Sequence, residues 1–180
     1  HNAGHGGLKG RNGTKELLDA LPLVKWPIKL IVRTQCERTA EESVRDDSRL
    51  EVRVGTVPYG ELWCDGDVFV FPEKFNGLSL PLQEARAAGM LVMCGDRFPM
   101  NAWLPREPLI PVSHTLRDRI GPPYMEFDRA EFNPRAIAAK IDEWYGRDIS
   151  AHSLQGKEWA EAMSWEKLGP KYRALLEGLK

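Results

Sequence analysis

The sequence predicts an α/β domain organised on a parallel sheet. Three observations carry that expectation. Short runs rich in Val, Ile, Leu and Phe recur along the first half of the chain, each followed by a polar or glycine-bearing loop and then by residues at helical spacing. The run Val68–Phe71 leads through Pro72 and Asn76-Gly77-Leu78-Ser79 into a helix carrying Pro81 in its first turn, where proline's missing N–H would be unpaired anyway. Gly89 ends that helix immediately before another apolar run, Met90–Cys94, which is the spacing of a right-handed crossover between parallel strands.

Taken in order, His1-Asn2-Ala3-Gly4 has the form of a strand tail entering a glycine loop. Residues 3–14 hold five glycines and the cations Lys9 and Arg11. Lys15–Leu21 follows as a helix with Leu17, Leu18 and Leu21 on one side. Ile28–Val32 is a strand, Arg33–Arg49 a solvated loop and helix, and Leu50–Val54 an alternating strand nearer a sheet edge. Pro58–Gly66 is a short helix with Leu62 and Trp63 inward, and it leads into the strand Val68–Phe71. After Met90–Cys94, the Pro-rich segment Gly95–Pro111 holds a helical turn at Met100–Trp103 and a short strand at Leu109–Val112. Tyr124–Phe127 is a further short strand. Asn133-Pro134 caps and opens a helix reaching about Tyr145 and burying Ile137, Ile141 and Trp144. Helices over Ser150–Ala162 and from Ser164 onward complete the chain. The last carries Trp165, Leu168, Tyr172, Leu175, Leu176 and Leu179 on its apolar face. The expected division is a nucleotide-binding domain over residues 1–150 and C-terminal helices over 151–180.

With 180 residues, the chain is long enough to bury a real core in one domain. Its 25 basic and 26 acidic residues leave a net charge of −1, which gives no electrostatic case for nucleic acid. No apolar run approaches the roughly 20 residues that span a bilayer. Cys36, Cys64 and Cys94 are odd in number and form no CxxC pair, which points to free thiols in a reducing compartment. The expectation is therefore a cytoplasmic location, with membrane association of a longer protein left open. The chain starts at His1 with no signal peptide after it, and we expect it to be a piece of a longer protein.

Two stretches carry candidate chemistry. A strand, a glycine-bearing loop and a helix N-terminus together present N–H groups and a positive dipole end to an anion, as at Phe71–Gly89. Glycine also lets backbone approach a ligand closely, and Lys9 and Arg11 can neutralise phosphate oxygens. Neither stretch has P-loop or GxGxxG spacing. The plainer alternative is an ordinary strand–helix unit with no ligand. Asp65-Gly66-Asp67 spells a metal-binding DxD, but it precedes a strand instead of following one and is expected to be a turn. His114 and His152 are expected at the surface. Trp103, Trp144, Trp159 and Trp165 are expected to be packing residues.

Four features in this order resemble a known family. Lys9-Gly10 precedes a Leu-rich helix, and Gly55-Thr56-Val57-Pro58 is followed by Glu61-Leu62 and Asp67-Val68. Pro72–Gly89 is similar to the signature P-x-x-x-E-G-F-G-L-P-x-x-E-A-x-A-x-G, matching it at Leu80-Pro81, Glu84-Ala85, Ala87 and Gly89. Ser164-Trp165-Glu166, with Tyr172 and Leu176, is similar to the last helix. The family is the retaining GT-B glycosyltransferases, and the chain resembles their C-terminal, donor-binding domain.

The resemblance implies a Rossmann-like three-layer parallel sheet, one half of a GT-B fold, whose C-terminal helices pack back toward an N-terminal domain of the same parent chain. It implies transfer of a sugar from a nucleotide-diphosphate donor, UDP or GDP sugar, to an unspecified glycan, lipid or protein acceptor, with retention at the anomeric carbon and no metal or cofactor. Lys9, Asn76 and Glu84 would be the catalytic set. His5, Lys9, Arg11, Asn76, Gly77, Leu78, Ser79 and Glu84 would contact the donor, Glu84 through the ribose hydroxyls and Asn76 through the sugar. The chain departs from the signature at Asn76, which stands where the family has Glu, and at Leu78 and Ser79, which stand for Phe and Gly. The arginine before the lysine-glycine is absent, with His5 nearest in sequence. A GT-B-type epimerase or phosphorylase shares the fold and the anion site. The loss of charge at Asn76 favours a third alternative, a non-catalytic sugar-nucleotide or interaction module.

Overall fold

The computed structural model describes residues 1–5, 7–8 and 10–179. It is a mixed α/β structure with small parallel sheets. Strand β1 (Asn2–Gly4) pairs in parallel with β2 (Leu30–Thr34), which pairs in parallel with β3 (Leu50–Val54). Strand β4 (Val68–Phe71) pairs in parallel with β5 (Leu91–Cys94), Val70 opposite Met93. The five strands thus form a three-stranded and a two-stranded sheet. His1 ties the two together: its amino group donates to Ile31 O and its Nδ1 to Val70 O, each at 2.9 Å. With Nδ1 donating, Nε2 is the acceptor for the Thr14 hydroxyl, also at 2.9 Å.

Strand alternation divides the core. Val70, Leu91 and Met93 join one buried cluster with Val32, Ile110 and Ile137. Their sequence neighbours Phe69, Phe71, Val92 and Cys94 face the other way, into a second cluster with Leu82, Ala85 and Met100. Successive residues of a strand point to opposite faces, so both faces of the β4–β5 pair are covered, as a short, continuously apolar parallel strand requires. Helix α1 (Thr14–Ala20) and α4 (Pro134–Trp144) pack together over the first cluster. Helix α3 (Leu80–Ala87) supplies Leu82 and Ala85 to the second and packs against α5 (Ser150–Ala162). That last contact is close because residue 156 is glycine: a Cβ there would lie 2.4 Å from Arg86 O. Arg86 also lies over the rings of Trp103 and Trp159, which stack on each other at 5.3 Å.

The expected helix start at Asn133-Pro134 is present, with Asn133 Oδ1 accepting from Arg135 N at 2.9 Å. The polar stretch after β2 holds α2 (Glu37–Ser43). Pro58–Gly66 forms a single 3-10 turn at Tyr59–Glu61, in place of the expected short helix. The strand expected at Leu109–Val112 is reduced to one bridge between Ile110 and Gly95, since Pro108 and Pro111 on either side cannot donate to a ladder.

A long antiparallel hairpin replaces the short strand expected at Tyr124–Phe127: β6 (His114–Ile120) pairs with β7 (Met125–Glu131). Its solvent side is charged, not apolar. Arg117 pairs with the directly opposite Asp128 at 2.8 Å, and Arg119 with its opposite Glu126 at 3.0 Å.

The final helix, α6 (Trp165–Glu177), leaves its apolar face open. Trp165 is 75% exposed and Leu176 65%, so Trp165 does not pack in this chain as expected. Among the described residues, no helix is long and apolar enough to cross a membrane.

Candidate functional site

The loops after β1, β4 and β5 converge, and glycine permits the closest approach. Gly13 has φ 68°, and a Cβ on it would stand 2.1 Å from Pro72 O. Just beyond, Lys74 N donates to Arg11 O at 2.6 Å, and Ala130 N donates to Lys74 O at 2.8 Å. The Lys74 peptide therefore lies between the loop after β1 and strand β7. Its side chain repeats the connection: Nζ is 2.8 Å from Glu16 Oε1 on α1 and 2.8 Å from Glu131 Oε2 on β7. Phe75 packs on Phe127 with ring centroids 4.5 Å apart.

Within this frame, residues 73–79 form a hydrogen-bonded loop. Glu73 is 1% exposed, and its Oε2 accepts from Asn76 Nδ2 at 2.9 Å. Asn76 Oδ1 in turn accepts from Ser79 N at 3.3 Å. Glu73 Oε1 and Ser79 Oγ are buried without a hydrogen-bond partner among the described residues. Ser79 caps α3 in the left-handed region, φ 48°, and is the only non-glycine residue with positive φ among those described. A side chain in that region costs about 1–2 kcal/mol. Ser79→Gly is therefore expected to raise stability by about 1–2 kcal/mol, read as a higher urea midpoint at unchanged m-value.

Arg11, Asn76 and Gly77 line a cavity of about 620 Å³, joined by Arg97 from the loop after β5 and walled by Phe75, Phe98 and Phe127. Among the described residues, neither Arg11 nor Arg97 has a carboxylate within salt-bridge distance, and Arg97 Nη1 is buried with no partner. Two guanidinium groups outside any salt bridge among the described residues thus line the cavity beside a loop at a helix N-terminus, and Asp128, paired with Arg117 at 2.8 Å, lines it from β7. Burial pushes the Glu73 carboxyl above its ordinary pKa, while Ser79 and Asn76 beside it and the charges of Arg97 and Arg11 act in the opposite sense.

The remaining expected residues fall in different places. Lys9 lies outside the described residues. His5 is exposed and Leu78 is 73% exposed; neither lines the cavity. Ser79 is buried as the helix cap. Glu84 is half-buried on α3 beside Trp63 and is not among the residues that line the cavity. Burial pushes its carboxyl up and Trp63 works against that. Trp63 stands edge-on to Phe69 at 5.0 Å, and its Nε1 is buried without a partner among the described residues. Asp65 pairs with Arg33 and, at 2.6 Å, with Arg53 Nη1, so the Asp65-Gly66-Asp67 turn commits its first carboxylate to arginines. Among the described residues no group of three His, Cys, Asp or Glu side chains is placed to hold a metal.

Sequence reasoning missed Arg97 and Glu73. The signal for Arg97 was its place just after a strand: the ends of parallel strands open on the crevice where ligands sit, and β5 ends there as β1 and β4 do. Comparison of the chain with protein-family models finds no match, and comparison with curated proteins finds none either.

Proposed function

We propose that this chain is the donor-binding half of a retaining glycosyltransferase of the GT-B type, its five parallel strands forming one Rossmann-like sheet between helical layers. The observation that carries the reading is the cavity in which Arg11 and Arg97, neither of them in a salt bridge among the described residues, meet Asn76 and Gly77. A nucleotide-sugar diphosphate fits that chemistry. Its oxygens take charge-assisted hydrogen bonds from the guanidinium groups and from N–H groups at the start of α3. Ser79 adds support. It occupies a glycine position of the signature, and its φ of 48° is a conformation that favours glycine. In glycosyl transfer the bond between the anomeric carbon and the diphosphate oxygen breaks with its electron pair on that oxygen. Cations fixed around the departing diphosphate lower the barrier to that step.

In this reading Glu84 and Trp63 lie toward the nucleoside, and Lys9 adds charge to the loop after β1. The open apolar face of α6 is the surface that meets the N-terminal domain of the parent chain, which supplies the acceptor side. The isolated chain is then expected to bind donors without turning them over.

Calorimetric titration with UDP-glucose, GDP-mannose and ADP-glucose tests the reading. Saturable binding of at least one is expected, and no heat from any of them at millimolar concentration would sink it. Arg97→Ala is expected to weaken the bound donor by about 1.5–3 kcal/mol, the range for hydrogen bonds to charged groups. Equal affinity in that variant would remove Arg97 from the site.

A further inference from the structure

Glu73 is a buried acid whose one hydrogen bond does not require an acid. Its Oε2 holds the Asn76 amide, a task a neutral acceptor performs at lower desolvation cost, and its Oε1 has no partner among the described residues. It forms no salt bridge there, yet it lies one hydrogen bond behind Asn76, which lines the cavity with Arg11, Arg97 and Asp128, the last already paired with Arg117. The adjoining residue, Lys74, is bonded through its N–H to Arg11 O. The arginines thus keep their donors out of salt bridges while a buried carboxyl stands behind them.

We propose that Glu73 is a specificity-determining residue that makes the cavity discriminate by ligand charge, favouring the diphosphate diester of a nucleotide sugar over the more highly charged free nucleoside diphosphate left after transfer. This rests on the donor reading above. A nucleotide sugar carries one ionisation on each phosphate. Cleavage of the sugar ester turns the outer phosphate into a monoester with a second ionisation near pKa 6, about one further negative charge at pH 8. Arginines alone grip the product more tightly than the substrate, which would hold the enzyme in its spent state. An ionised Glu73 behind them opposes the extra charge. At an effective dielectric of about 20, a unit charge within a side chain's length of a phosphate changes affinity by about tenfold or more. The repulsion acts on both ligands and grows with charge, so it bears hardest on the product.

The test is calorimetry at pH 8 on the chain as it stands, pairing UDP with UDP-glucose, GDP with GDP-mannose and ADP with ADP-glucose. With the pair that binds, the wild-type chain is expected to hold the sugar ester at least as tightly as the free diphosphate. Glu73→Gln, which keeps an acceptor for Asn76, is expected to tighten the free diphosphate by about tenfold and the ester by less. Glu73→Asp, which keeps the charge, is expected to preserve the wild-type order. A purely structural Glu73 predicts weaker binding of both ligands in Glu73→Gln, and that result overturns the proposal, as does an unchanged ratio. If Glu73→Gln does not fold, the wild-type comparison decides: a tighter hold on the free diphosphate than on its ester overturns it. Binding of both ligands with the wrong order removes this inference and leaves the donor reading standing. Binding of none removes both.

Discussion

Gly13→Ala is expected to destabilise the chain by about 2–5 kcal/mol, combining the cost of a left-handed alanine with that of overpacking. The added Cβ would meet Pro72 O at 2.1 Å and Pro72 C at 2.9 Å, and both are backbone atoms that no rotamer change can move. The loop after β1 would have to withdraw from the loop after β4, taking Arg11 away from Asn76. The loss is read from urea unfolding, and anion affinity should fall with it. A change within about 0.5 kcal/mol, the usual effect of a surface substitution, would mean that the two loops do not touch in solution.

Lys74→Met is expected to cost about 3 kcal/mol, the lower end of the range for removing one partner of a buried ion pair. The lysine side chain is 13% exposed and the two glutamates 15% and 18%, so solvent compensates little. Methionine keeps the aliphatic packing but leaves Glu16 without a cation and Glu131 with Arg129 alone, 2.8 Å away. Adding Glu16→Gln and Glu131→Gln to Lys74→Met should recover most of the loss. A triple variant as unstable as the single one would place the cost in packing instead of charge.

The sheet core was legible in the sequence because burial on both faces writes a continuous apolar run. Val68–Phe71 is a strand over those same residues; Leu50–Val54 is a strand legible by its alternation instead, and Ser150–Ala162 is a helix over its expected span. Of the β6–β7 hairpin only a fragment of β7, Met125–Phe127, was legible, as part of the strand expected at Tyr124–Phe127. Its residues are held by Arg–Asp and Arg–Glu pairs across the strands, and a charged segment with few apolar residues gives no hydrophobic alternation to read. At the site, the loop and the helix start could be read from local order, with Asn76 and Gly77 beside Arg11. Arg97 was missed because its place in the cavity follows from the β4–β5 pairing and not from the loop's own residues. Glu73 looked like an ordinary loop position between Pro72 and Lys74. Only tertiary burial shows that its carboxylate is sealed beneath the loop. Glu84 and Asn76, eight residues apart in one motif, stand in separate surroundings because the loop folds Asn76 back onto Glu73 while Glu84 follows the helix toward Trp63.

The Lys74 peptide, donating to one loop and accepting from a strand of the hairpin, has a kinetic consequence. A backbone unit clasped on both sides opens only when its neighbours open, so the Lys74 and Ala130 amides should exchange with deuterium together and slowly, close to the rate of whole-domain unfolding. The Gly77 and Leu78 amides, on exposed residues of the same loop, should exchange within the fastest fraction. The rim is then a stiff hoop with a few loose residues at one point. A ligand closing it would have to order only those residues, which keeps the entropy of capture small.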